Sequence, residues 1–457
     1  MVRHVKTTGS PATPGWKALL AVTVAAGALL WHVLACVESP MAFSPGGKDL
    51  AFVASSNATL EDKDIHLAGT RTFRLMVLHE AQRVRLVEET DKHLLTAPGY
   101  SPDGQQLCYF RVPLLTAEQA DAAKKAATER LERLRAAVAQ TQPAGVPNWV
   151  GKTFGEALTS WPAEGEDKPT ERMQQAAEFW GASTLNPPVP VELVVRDAKA
   201  LDIVLATATV SLPIYDFTSG QPGGGLTMTY ALDRPRYSPD GKWVYASLGN
   251  VTFRVDPKTG KAQLLAAPSM LGRLSPDGKT LAVWTGRLTF LDLEGDRETS
   301  APLSKDFSPA GFFWTGNDAL GVLRGKDKHY EVALFDASGK LVRTVPLGEA
   351  EVETAMPGEL AIAPDGKRMV VATGKETLFF DGSGKLLRRV EEKDAPLTQP
   401  TFTPDGKRVA FKRLNEAKDG DKQRIFATAI VFYSPEGKEL SSVQLPPFEA
   451  KANDQPK

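Results

Sequence analysis

The sequence predicts an all-β chain folded as a seven-bladed β-propeller, and three observations predict it. A short phrase recurs, intact at Ser238-Pro239-Asp240-Gly241-Lys242 and at Ser275-Pro276-Asp277-Gly278-Lys279. Most copies come after an aromatic or apolar residue and precede an apolar strand, such as Leu50-Ala51-Phe52-Val53 or Val409-Ala410-Phe411. A second turn then comes within the same unit, as at Asp256-Pro257-Lys258-Thr259-Gly260 or Asp381-Gly382-Ser383-Gly384. Two hairpins make four strands, and the 37 residues from Ser238 to Ser275 are the length of one four-stranded blade.

At the N-terminus, residues 1–17 hold Arg3, His4, Lys6 and Lys17 and no acid, and residues 18–36 form a 19-residue run without Lys, Arg, Asp or Glu. That run reads as a transmembrane or signal-anchor helix, and the basic flank before it places the rest of the chain outside the cytoplasm. Val33-Leu34-Ala35-Cys36 is similar to a bacterial lipobox, which makes Cys36 a candidate lipidation site. A retained anchor, a lipoprotein and a secreted chain are the three readings, and all three export the propeller. The propeller spans 37–446, and 447–457, without strand pattern, reads as a flexible tail.

Blade one turns at Ser44-Pro45-Gly46-Gly47 and blade two at Ser101-Pro102-Asp103-Gly104. The two intact copies serve blades three and four, with Pro239, Asp240 and Gly241, then Pro276, Asp277 and Gly278. The degenerate Ser308-Pro309-Ala310-Gly311 is assigned to blade five and leaves six or eight blades as alternatives. Ala363-Pro364-Asp365-Gly366 and Thr403-Pro404-Asp405-Gly406 complete the ring. Proline presets φ at its position and glycine accepts a positive φ, so each copy is a tight structural turn. Repetition of the Asp in every good copy argues for turn geometry rather than catalysis.

Name the strands of a blade A to D outward. The A–B and C–D turns then share one face of the disk, and the B–C and D–A connections share the other. Long B–C connections are expected in blade one (54–72), in blade seven (414–424) and above all in blade two (113–190), so they should stand side by side on one face. The blade-two insertion reads as helical from Thr116 to Gln142, with Ala120, Ala127, Leu131, Leu134 and Val138 on one stripe, and again near 170–180. Trp149, Trp161 and Trp180 within it are candidate binding anchors or local core. His66 and His93 are further candidates on that face, with His329 in blade five.

The recurrent phrase resembles the WD-like repeat of TolB and of prolyl-oligopeptidase-type propellers, over about residues 37–446. This chain departs from TolB in having no α/β domain between its N-terminal segment and the first blade. The resemblance implies the propeller fold and, because TolB-type propellers bind a peptidoglycan-associated lipoprotein, an envelope protein as partner.

Enzyme signatures are missing. The chain has no Gly-x-Ser-x-Gly, no phosphate loop, no His-Glu-x-x-His and no Cys-x-x-Cys. Asp419-Gly420-Asp421 offers too few oxygens for a calcium site. No cofactor and no metal are expected. A net charge of −1 without a basic stripe argues against nucleic acid. Of two cysteines, Cys108 reads as core, so no disulfide framework is expected. The expected role is a membrane-tethered, non-catalytic protein-binding scaffold. A propeller acting on glycans in its central funnel is the alternative.

Overall fold

In the computed structural model the chain is described over residues 40–448, apart from 60–71, most of 115–188, 213–233, 302–311, 348–358 and several stretches of one to four residues. The N-terminal segment, Cys36 and the 449–457 end lie outside the described residues, as does the insertion beyond its first turn. No described helix is long and apolar enough to cross a membrane.

Seven antiparallel sheets succeed one another along the chain, so the protein is a seven-bladed propeller. Blade three shows the plan: strands Arg236–Tyr237, Val244–Leu248, Val251–Val255 and Ala262–Ala266 pair in sequence order. Strands B and C are buried on both sides, which is why they read as continuous apolar runs. In Asp49–Ser55, Ala51 and Val53 face a cluster shared with blade two, whereas Leu50, Phe52 and Ala54 face one shared with blade seven. The two-residue period of a strand thus feeds two neighbours at once.

Five more interfaces repeat this arrangement and close the ring. Blade one is built from 42–90 and blade seven from 397–444, so the ring closes without exchanging a strand of its body. The seam is instead apolar packing, plus a fully buried Lys412 whose Nζ donates to the Val53 carbonyl at 2.7 Å. Past the last strand, Arg74 donates to the carbonyls of Pro446 and Pro447 and sits over the Phe448 ring. The chain is therefore held for two residues into the segment that the sequence assigns to the tail.

The turns are built as the repeat suggests. Each Ser or Thr hydroxyl donates to the Asp two residues on, at 2.5 to 2.6 Å for Ser101, Ser238, Ser275 and Thr403. The same oxygen accepts the amide five residues on, and the Asp accepts the amide two beyond itself. Gly278 at φ +74 presses on Pro239 of the preceding blade, so the turns stack around one face. Backbone bonds such as Leu293 N to Lys279 O tie the C–D turn of blade four to its A–B turn on that face.

Blade five corrects the sequence assignment. Its A and B strands, Phe312–Trp314 and Leu320–Lys326, are joined across Thr315 N to Ala319 O. The turn therefore comes after Ser308-Pro309-Ala310-Gly311, which lies outside the described residues. The sequence between these two strands, Thr315 to Ala319, lacks the proline that marks the other copies.

Candidate functional site on the loop-bearing face

The face opposite the Pro-Gly turns carries the unequal parts. In blade seven the B and C strands run Val409–Asp419 and Lys422–Tyr433, paired out to Asp419 and Lys422. Strands B and C of blades three, four and six have five or six residues each, so this hairpin rises well beyond its sheet. Its flank pairs with Ala58–Thr59 from the long B–C connection of blade one, Arg424 with Thr59 and Ile425 with Ala58. The extensions of blades seven and one are thus joined in one sheet on this face.

Blade two reinforces its own root on the same side. Its innermost strand comes in two pieces, His93–Leu95 and Gly99–Tyr100, both paired to Gln106–Pro113. At the break Thr96 bonds Phe110 twice, by its amide to the carbonyl and by its hydroxyl from the amide. His93 pairs with Pro113, where the insertion departs, and Val189 is where it returns. Thr116 and Gln119 exchange backbone-to-side-chain bonds at 3.0 and 3.2 Å, the reciprocal pattern of a helix N-terminus. Trp149, Trp161, Trp180 and His66 lie outside the described residues. His329 is placed at the B–C link of blade five, and Asp419 at the tip of the blade-seven hairpin. Among the described residues no three His, Cys, Asp or Glu stand close enough to hold a metal.

A polar network locks blade two to blade one. Glu88, on the outer strand of blade one, accepts from Arg111 at 2.6 and 2.8 Å and from Arg196 at 3.0 Å. Tyr109 also donates to it. Burial pushes the Glu88 carboxyl up, but these hydrogen bonds and the Arg111 charge outweigh it and hold the group below its ordinary value. Burial pushes the thiol of Cys108 up to about 12, so this cysteine is an inert core residue.

On blades six and seven the carboxylate of Glu359 takes the amide and the side-chain nitrogen of Gln399, whose φ is +59. In blade three Arg236 opens the innermost strand Arg236–Tyr237 with Arg234 two residues before it, and in blade four Arg273 lies in the innermost strand Leu271–Leu274. Arg273 lies over the Phe313 ring at 5.6 Å. Arg234 Nη1 donates to the Met41 carbonyl of blade one at 3.3 Å. Burial lowers Arg236 and Arg273 to about 10, and burial with the neighbouring Arg236 charge lowers Arg234 to about 9.

No protein-family model and no curated protein matches the sequence. Among solved structures, the chain is similar to the dihydro-heme d1 dehydrogenase NirN in complex with DHE, with 13% identity and a TM-score of 0.41, over 89% of this chain and 66% of that one. It is also similar to the β-propeller domain of Cps50 (Swd1) from Myceliophteria thermophila, with 13% identity and a TM-score of 0.39, over 56% of this chain and 80% of that one. Likenesses this distant carry nothing about activity.

Two features of this face escape the sequence reading. The D–A link 213–233 between blades two and three is as long as some B–C extensions and lies outside the described residues. The arginines have a positional signal: Arg236 and Arg273 both stand two residues before the turn serine.

Proposed function

We propose that this protein is an extracytoplasmic, membrane-tethered propeller that binds an envelope protein on its loop-bearing face without catalysing a reaction. The observation that carries this reading is the pairing of Ala58–Thr59 with Lys422–Tyr433. It unites the extensions of two blades beside the root of the third and largest, a built platform rather than three separate loops. Repeat proteins place binding surfaces where per-repeat insertions gather.

The chain enters blade one at Ala42 from this same face, a few residues past Cys36. At about 3.5 Å per extended residue, such a tether reaches only about 20 Å. An N-terminal anchor would thus hold the platform toward the membrane and toward a partner seated there. The resemblance of the turns to TolB-type repeats supports an envelope partner by analogy.

The test compares full-length protein with a variant lacking Thr116 to Pro188, using affinity capture of in-cell cross-linked complexes from the envelope. The reading predicts loss of the principal partner with the propeller still folded. Retention of every partner would remove the insertion, and with it the platform, from the account.

A further inference from the structure

One copy of the turn phrase lacks its carboxylate. Asp103, Asp240, Asp277, Asp365 and Asp405 each accept the amide two residues on, at 2.9 to 3.1 Å. In four of these turns the Ser or Thr hydroxyl donates to the same oxygen. Blade one has Gly46 at that position.

The blade-one turn is otherwise built like the rest. Gly47 has a φ of +69, within the +68 to +74 of the other copies, and its amide reaches the Ser44 carbonyl at 2.8 Å. Ser44 is 7% exposed and accepts the Asp49 amide at 3.1 Å, as the other turn serines accept theirs. The two donors that grip a carboxylate elsewhere, here the Ser44 hydroxyl and the Lys48 amide, thus stand in place without one among the described residues. A Cβ on Gly46 would meet nothing within 4 Å.

A cavity of about 320 Å³ opens at this point, within the size range of small-molecule pockets. Gly46, Lys48 and Glu80 line it from blade one, and Pro404, Asp405 and Arg408 from blade seven. Its charges balance, with Lys48 3.6 Å from Glu80. The cradle itself favours an ionised carboxylate: the Ser238 hydroxyl first, then the Lys242 amide, lower Asp240 to about 2.

We propose that this cavity binds a small carboxylate compound, whose carboxylate takes the place of the missing Asp side chain and accepts from the Ser44 hydroxyl and the Lys48 amide. A simple carboxylic acid and an amino acid share this chemistry, and the ammonium of the second would face Glu80 and Asp405. The site lies on the turn face at the ring seam and stands whether or not a protein docks on the opposite face.

The test uses full-length protein, titrated calorimetrically with acetate and, in a separate arm, with glycine, against sodium chloride of matched ionic strength. Wild type should show saturable binding to at least one of the two. Tighter binding of glycine assigns amino acids as the ligand class, and equal or tighter binding of acetate assigns simple carboxylates. Gly46→Asp supplies the carboxylate from the chain itself, so this variant should lose the binding while melting at or above the wild-type temperature, which separates lost binding from lost folding. Ser44→Ala should bind about tenfold or more weakly, since one hydrogen bond to a charged group is worth at least that factor. Lys242→Gln, on another turn, should bind as wild type does. No binding beyond the chloride control, undiminished binding in Gly46→Asp or Ser44→Ala, or equal loss in Lys242→Gln would overturn the proposal.

Discussion

Replacing Glu88 by Gln tests the junction between blades one and two, because one carboxylate there serves Arg111, Arg196 and Tyr109. The substitution keeps the volume and removes the charge. Arg196 then stays almost buried, with the Tyr109 hydroxyl and the Leu201 carbonyl as its remaining named partners. Removing one partner of a buried pair typically costs about 3–5 kcal/mol. Arg111 retains Glu192 at 3.3 Å, which puts the expected loss near the lower end, about 3 kcal/mol. With an unfolding entropy of about 2.1 cal/mol/K per residue over roughly 400 residues, the melting temperature should drop by about 3–4 °C.

The pH dependence supplies a sharper reading of the same variant. Glu88 is held below its ordinary value of 4.5 in the fold, so its contribution is fully present above that pH. It is lost as pH falls through the lowered folded value. The stability gap between wild type and E88Q should be widest near neutrality and should narrow progressively as pH falls below 4.5. Denaturant unfolding at several pH values measures it. A gap under about 0.5 kcal/mol at pH 7, within the range of ordinary surface changes, or one unchanged down to pH 3, would refute the account of this junction.

Other predictions address the seam and the turns. Lys412→Ala should cost about 3 kcal/mol or more, by leaving a cavity and depriving the Val53 carbonyl of its donor. Hydrogen exchange should show protection falling first in blades one and seven, and a uniform loss around the ring would contradict the seam. Gly384→Ala should be far more damaging than Gly366→Ala in thermal melts. Both have positive φ, but a Cβ at Gly384 would lie 2.0 Å from the Pro346 carbonyl oxygen, whereas one at Gly366 meets nothing within 4 Å. Asp240, lowered to about 2 chiefly by the Ser238 hydroxyl, should titrate upward toward 3.8 in S238A, as tracked by carboxyl-carbon NMR. An unchanged titration would mean that the hydroxyl does not set it.

What the sequence revealed was what is local. The Gly-to-carbonyl bonds of the Pro-Gly turns, and the Ser/Thr-to-Asp and Asp-to-amide bonds of the four fullest copies, close within five residues, so their repetition made the ring readable. Blade five was misassigned because its turn residues, Thr315 to Asp318, lack the proline that identified the others. The union of Ala58–Thr59 with the blade-seven hairpin joins residues hundreds of positions apart, and no local pattern marks it. The Glu88 network is likewise assembled from strands that become neighbours only in the folded ring. Arg236 and Arg273 share an offset of two residues before the turn serine, but the Phe313 ring over which Arg273 lies comes from another blade and only the folded ring brings it there.

Site-specific photo-cross-linking in the native cells tests the central claim, that one face of the ring is the binding face. Cross-linkers placed at Lys92, beside the insertion root, and at Lys422, on the blade-seven hairpin, probe the loop-bearing side. Cross-linkers at exposed Gln105, Lys242 and Lys407 probe the turn side. The account predicts one common envelope adduct from the first set and none from the second. The same adduct from the turn face, with silence at Lys92 and Lys422, would contradict it.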